Sequence, residues 1–349
     1  MNNKIRVIIV DDSKTGRAFI AAALRRDSDI EIIGMAADPL EARDLIIKDQ
    51  PDVITLDIEM PNMNGLQFLE KIMRMRPIPV VMVSSLTVRG AETSVEALQL
   101  GAFDCFPKPE AGSGIDSYMG LIPLVKAAAC STSRRSSAHN ITSIKKSSRR
   151  QVILPEVIAI GASTGGVEAL GAILPRLPHT LPPILVTQHM PPLFTASLAN
   201  RLNQMCDIRV QEAEDGILLE HGNAYIAPGG RRHLHLRKLG GRLFAGLDED
   251  EPVSGHRPSV DELFRSVAYY SGAHSVGIIL TGMGRDGAEG LLKMRDAGAY
   301  TLGQSAASCV VYGMPKAAME VGAVERMVPL GSMADTLISY CMSENGDFV

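Results

Sequence analysis

Residues 157–170 read VIAIGASTGGVEAL: an apolar run, a glycine-rich turn and then a helical pattern. Inside the turn, Gly161, Ser163 and Gly165 make G-x-S-x-G. Where a strand feeds a helix, that spacing lifts a serine hydroxyl clear of the backbone and sets the free N–H groups of the helix start beside any oxyanion formed there. Two other glycine-loop readings fail. A Walker loop needs lysine where Val167 stands, and a dinucleotide fingerprint needs glycine where Ser163 stands. A helix-capping serine is the local alternative.

A serine nucleophile needs a base, and the base needs an acid to orient it. Of eight histidines, His189 has the best claim, because it ends the strand-like run PILVTQH and so should emerge on the same crevice as Ser163. The run VGIILTGMGRDGAEG supplies Asp286 after a further strand and a glycine turn, where a helix N-cap is the competing role. His233 and His235 make an H-x-H pair with no third ligand spaced to complete a metal site, which reads as a solvated strand face. His256 reads as a loop residue able to contact substrate. The order Ser, His, Asp differs from the Ser, Asp, His of α/β-hydrolases, so the same constellation would sit on a different sheet.

The amino-terminal part carries a second constellation. Asp11 and Asp12 follow RVIIV, Asp57 follows DVITL, Ser84 follows VVMV and Lys108 follows CFP. In an open parallel sheet the ligand crevice lies outside the carboxyl ends of the strands, so these residues should converge. Carboxylates gathered in one place repel unless a hard cation sits among them, and Mg²⁺ suits an all-oxygen set. With the lysine as counter-charge, Asp57 is the best-placed residue to attack an in-line phosphoryl group.

Positioning these residues requires two α/β units, each a mostly parallel sheet with helices on both faces. Residues 4–128 alternate short apolar runs with amphipathic stretches, and from 152 onward the alternation resumes. Helices are expected over 166–174, 193–203, 259–270 and 287–297, the third opened by a capping box in SVDE, from Ser259 to Glu262. Between the units, residues 131–150 hold nine Ser or Thr, six Arg or Lys and no acid, which reads as a flexible basic linker. The expected division is a first unit at 1–128 with the acid-and-lysine constellation, a linker at 129–151 and a catalytic unit at 152–349.

A length of 349 residues suits two such units, and a net charge of -4 argues against bulk attraction to nucleic acid. Five scattered cysteines with no C-x-x-C pair suggest neither disulfides nor a zinc site, and fit a reducing, cytoplasmic setting. No apolar run approaches a membrane span and the first residues carry no signal-peptide core, so neither export nor membrane insertion is expected.

Residues 4–128 resemble a response-regulator receiver domain through the strand-end acids, DIEMPNMNGL and Lys108-Pro109. The resemblance implies Asp57 as phosphoacceptor, Asp11 and Asp12 as metal ligands with the Glu59 carbonyl, Ser84 as switch hydroxyl and Lys108 as phosphate partner. Cys105 stands where many receivers carry an aromatic residue. Residues 152–345 resemble the catalytic domain of the chemotaxis protein-glutamate methylesterase family through IGASTGG, TQHMPP, AYIAPG, HRPSVD, LTGMGRDG and ASCVVYGMP.

That second resemblance implies Ser163, His189 and Asp286 as a triad, with amides near Thr164 and Met283 as oxyanion donors. It implies hydrolysis of glutamate γ-methyl esters on methylated chemoreceptors, with glutamine deamidation beside it. A chemotaxis histidine kinase would be the phosphodonor, and the receiver would gate the Ser163 crevice. Rival readings are a phosphorylation-controlled binding protein without catalysis and a serine peptidase.

Overall fold

The computed structural model describes residues 4–60, 64–110, 112–134 and 154–342. Contacts divide the chain into two compact units, Met1–Ala138 and His139–Val349.

In the first unit, β1 (Ile5–Val10), β2 (Ile30–Ala36), β3 (Val53–Asp57), β4 (Val80–Ser84) and β5 (Asp104–Pro107) form one parallel sheet in the order β2-β1-β3-β4-β5. The helices are α1 (Lys14–Leu24), α2 (Pro39–Asp49), α3 (Gly65–Met75), α4 (Val88–Gln99) and α5 (Leu121–Arg134). β3 and β4 are buried along their whole length, which is why both read as unbroken apolar runs. Side chains cap the helix starts: Ser13 accepts from the Gly16 amide, Asp38 from Leu40 and Glu41, and Thr87 from Gly90. Helix α5 continues to Arg134, into the segment that the sequence assigns to the linker from 129. The remainder of that segment, 135–151, lies outside the described residues.

The second unit is built on seven parallel strands in the order β14-β13-β12-β6-β7-β9-β8. These are β6 (Val157–Ala162), β7 (Ile184–Gln188), β8 (Arg209–Glu212), β9 (Asn223–Ile226), β12 (Ser275–Ile279), β13 (Tyr300–Gln304) and β14 (Arg326–Val328). β10 (His233–Leu239) and β11 (Arg242–Asp248) pair antiparallel as a separate hairpin. Helices α6 (Gly166–Ile173), α7 (Phe194–Met205), α8 (Val260–Tyr270), α9 (Ala288–Asp296), α10 (Met314–Glu320) and α11 (Leu330–Met342) complete the unit. β8, β11, β13 and β14 are absent from the sequence expectations, because they are short or carry polar and glycine residues among the apolar ones.

β6 is flanked by β7 on one side and β12 on the other, so the chain reverses its direction of winding there. That is the topological switch point, and the loops after β6, β7 and β12 share one crevice. α8 packs against β6, β10 and α9. It buries Val260, Leu263, Phe264 and Val267, the i, i+3, i+4, i+7 face of an amphipathic helix. Full burial of a side chain such as Phe264 stabilises by about 1.5–3 kcal/mol.

The end of β6 approaches the first turn of α8 closely. A Cβ added at Gly161 would stand 2.1 Å from Val260 Cγ1. Gly161→Ala is therefore expected to overpack this contact and cost about 1–3 kcal/mol. Calorimetry of the full chain should show a lowered midpoint for the transition of the second unit, and an unchanged midpoint would refute the contact.

Candidate functional site

Asp286 lies in the loop between β12 and α9, and its carboxylate is almost wholly buried. Burial pushes its pKa up, but the His189 ring and the other hydrogen bonds outweigh that and hold it below the ordinary carboxylate value. Oδ2 sits 2.7 Å from His189 Nε2 and accepts from the Val260 amide at 2.7 Å. Oδ1 accepts from Ser259 Oγ at 2.8 Å and from the Asp261 amide at 3.1 Å. The carboxylate thus occupies the N-terminus of α8, where free amides and the helix dipole favour an anion.

This arrangement corrects the local reading of SVDE. Ser259 is the N-cap residue of α8, but its side chain makes no capping bond, and Glu262 pairs with Arg265 at 2.5 Å instead of reaching back. The helix start is satisfied by Asp286 from a distant loop. Nor does Asp286 cap its own helix, since Gly287 is the N-cap residue of α9.

With Nε2 donating to an ionised carboxylate, the His189 lone pair is left on Nδ1. That atom is buried and has no hydrogen-bond partner among the described residues. Ser163 Oγ and the His189 ring make no hydrogen bond in this structure, although the two residues follow paired positions on adjacent strands, Ala162 opposite Gln188. The structure therefore joins His189 to Asp286 and leaves the link to Ser163 open.

The Ser163 backbone is pinned from three sides. Its amide donates to the Thr281 carbonyl at 3.0 Å, and its carbonyl accepts from the Gly166 amide at 2.7 Å and from Gln188 Nε2 at 2.9 Å. Gly165 adopts φ 78°, and a Cβ there would meet Val310 Cβ at 2.6 Å, so the turn depends on glycine twice over. On the other side, a Cβ at Gly282 would lie 2.7 Å from Ser163 Cβ, so the loop after β12 comes directly against the serine. The neighbouring Met283 amide has no acceptor among the described residues. The Thr164 carbonyl accepts from Thr281 Oγ1 at 3.0 Å, which fixes the peptide between Thr164 and Gly165.

Gln188 lacks a signal in the sequence, and the remaining histidines take places that the sequence does not indicate. Gln188 bridges the carbonyls of Ser163 and His189 with one amide nitrogen. His256 stacks on His189 with ring centroids 3.9 Å apart. His233, expected on a solvated face, is fully buried, and its Nδ1 accepts from the Ser259 amide at 3.1 Å. Its neighbour His235 lies 2.6 Å from the Asp248 carboxylate. Arg285 pairs with Glu289 at 2.9 Å. A cleft of about 300 Å³ opens beside the dyad, lined by His189, Met190, Gly230, His256, Arg257 and Pro258 among others.

In the first unit, Asp11, Asp12 and Asp57 bring ligand oxygens within 4.8 Å of one another. Lys108 Nζ lies 2.6 Å from Asp57 Oδ2 and 3.1 Å from Asp11 Oδ2. Burial raises the Asp57 pKa to about 6 against the opposing pull of Lys108. Burial would lower the Lys108 pKa, but Asp57 and Asp11 together raise it. Asp11 Oδ2 is buried and accepts no well-directed hydrogen bond, and the donor set is all oxygen, so the cluster fits a hard divalent cation. The Glu59 amide donates to Asp57 Oδ1 at 3.2 Å. Ser84 Oγ donates to the Gly90 carbonyl at 3.3 Å, in the first turn of α4, and not to Asp57. Cys105 Sγ contacts the Ser94 carbonyl at 3.6 Å, and burial pushes its thiol pKa up.

An acid-and-lysine cluster at the strand ends of one parallel sheet, and a His–Asp pair beside a glycine-flanked serine at the switch point of another, fit a receiver joined to a hydrolase built on a doubly wound sheet. Family models agree unit by unit: the response regulator receiver domain matches residues 7–118 and the CheB methylesterase model residues 158–337. The chain is 56% identical to a protein-glutamate methylesterase/protein-glutamine glutaminase of Caulobacter vibrioides, over 96% of this chain and 97% of that one. A protein of the same description from Agrobacterium fabrum is 52% identical, with 97% of each chain covered. The catalytic domain of Thermotoga maritima CheB methylesterase superposes with a TM-score of 0.52 at 39% identity, covering 54% of this chain and 99% of that one. The chain belongs to the CheB methylesterase family of hydrolases and carries a receiver domain. No helix among the described residues is long and apolar enough to cross a membrane.

The Asp286 carboxylate is depressed in the folded state, so its contribution to stability is present above its unfolded pKa and is lost as pH falls through the folded value. Asp286→Asn should therefore destabilise by about 1–3 kcal/mol at neutral pH, through hydrogen bonds left unmade in a buried site. The deficit should shrink as pH falls from the ordinary carboxylate value through the lower folded one, where the wild-type carboxylate also becomes protonated. Denaturant titrations at several pH values measure this, and a deficit constant down to pH ~2 contradicts the ionised assignment.

Proposed function

We propose that the chain is a serine-type protein-glutamate methylesterase whose rate is raised by phosphorylation of its receiver. The observation that carries this reading is the His189 ring, with Nε2 committed to Asp286 at 2.7 Å and Nδ1 buried without a partner. Ser163 Oγ attacks the ester carbonyl of a methylated glutamate while His189 Nδ1 takes the hydroxyl proton. Asp286 holds the tautomer and balances the imidazolium. The amide of Met283, together with that of Thr164, donates to the oxyanion, and each such donor is worth about 3 kcal/mol. The imidazolium returns its proton to the departing methoxide, and methanol leaves. Water, activated by the same ring, then releases the carboxylate and frees Ser163. Deamidation of glutamine follows the same path with ammonia departing, in keeping with the paired activities in the relatives' names.

The substrates in this reading are methylated chemoreceptors, reached from the cytoplasm, and the phosphodonor is a chemotaxis histidine kinase. Asp57 accepts the phosphoryl group. Mg²⁺, held by Asp11, Asp12, Asp57 and the Glu59 carbonyl, supplies positive charge to the phosphoryl oxygens when bound. Lys108 neutralises the same oxygens, and Ser84 turns from the Gly90 carbonyl to donate to one of them. The working division is receiver at 1–128 and catalytic unit at 152–349.

Methanol release from methylated receptor membranes tests the chemistry. Ser163→Ala should lower it by about a thousandfold or more, and retention of the wild-type rate refutes the nucleophile. An acyl phosphate should raise the rate of the wild-type chain but not of Asp57→Asn. Chelating divalent cations should abolish phosphoryl uptake, and uptake unaffected by chelation would remove the cation from the receiver site.

A further inference from the structure

We infer that His256 is a positioning residue for the esterase reaction: its ring clamps one face of the His189 imidazole, so that Nε2 stays on Asp286 and Nδ1 stays open to Ser163. The inference rests on the functional reading above. The two rings lie parallel within 4°, with centroids 3.9 Å apart, closer than the usual separation of aromatic pairs. Among the described residues, His189 has a single side-chain hydrogen bond, to Asp286. One such bond fixes a point on the ring but leaves the ring free to twist about it, whereas a flat partner against one face removes that freedom.

The segment that carries His256 is built to hold it there. Residues 253–256 form a tight turn in which the Val253 amide donates to the His256 carbonyl at 3.1 Å and the His256 amide donates back at 2.9 Å. Ser254 and Gly255 take φ of 54° and 80° inside it. Just beyond, the Arg257 carbonyl accepts from the Gly230 amide at 3.1 Å, and Arg257 Nη1 donates to the Asp250 carbonyl at 3.0 Å. Two residues later Ser259 donates to Asp286. One short stretch of chain therefore lays a ring on His189 and a hydroxyl on its acid. The His256 ring makes no hydrogen bond among the described residues, so stacking is the contact it contributes. Burial, reinforced by His189, lowers its pKa to about 4, so the ring is neutral at pH 7 and does not repel an imidazolium forming beneath it.

The test separates a flat face from filled space. In the full chain, His256→Phe keeps a planar ring, His256→Leu fills the volume without one, and His256→Ala removes both. The readouts are the rate of Ser163 labelling by a serine-directed phosphonate, the low-field proton resonance of the His189–Asp286 hydrogen bond, and circular dichroism to register folding. Labelling of the Leu and Ala variants should be slower by about ten- to a hundredfold, the range that a misplaced catalytic group costs, with the resonance broadened. His256→Phe should label within about threefold of wild type and keep a sharp resonance, a loss of under about 1 kcal/mol.

Equal rates for the Phe and Leu variants, whether both fast or both slow, overturn the clamp. If the Ala variant does not fold, the comparison of Phe with Leu decides. Failure of the wild-type chain to label at all is a different result. It removes the serine nucleophile, while the resonance still reports whether His256 holds His189 on Asp286.

Discussion

A buried carboxylate held at the start of a helix is the interaction on which the second unit depends. Asp286 receives the Ser259 hydroxyl, the amides of Val260 and Asp261, and the His189 ring. An isolated charge removed from water to this extent would be neutralised or expelled. Four donors and the positive end of α8 keep it ionised. The same contact ties the loop after β12 to the start of α8 and the end of β7, so one carboxylate holds the His189 ring and fixes three loops around it.

The strand-end residues were legible because a parallel sheet converts order in sequence into neighbours in space. Asp11, Asp57 and Lys108 meet for that reason. His189 and Asp286, nearly a hundred residues apart, meet likewise. The glycine turn around Ser163 announced its own geometry, since positive φ and close backbone approach leave a mark in residue type. What stayed hidden was the choice between local and distant partners. Ser259 and Glu262 have the spacing of a capping box, yet a carboxylate from another loop takes the Ser259 hydroxyl and the Val260 and Asp261 amides, and His233 takes the Ser259 amide. His233 looks like half of a metal pair or a solvated face, and its burial beneath Ser259 follows from the hairpin folding over α8, which no local pattern encodes. Gln188 is an ordinary residue until β7 brings it to the site, and His256, legible as a loop residue near it, owes its place on His189 to the 253–256 turn.

The two units solve one electrostatic problem in different ways. In the receiver, like charges converge, burial raises Asp57 to about 6, and Lys108 offsets part of the repulsion while leaving room for a cation. In the catalytic unit a single carboxylate is surrounded by donors, and its pKa falls. The first carboxylate titrates close to neutral pH, whereas the second stays ionised well below it.

The orientation of the His189 ring bears on the shape of what can react. The nitrogen facing the acid is the outer one, which leaves the nitrogen one bond nearer the main chain buried and unpartnered among the described residues. Whatever is to meet that atom has to come in on the inner edge of the imidazole, at the end of β7, and a group confined to the outer edge meets only the side already taken by the carboxylate.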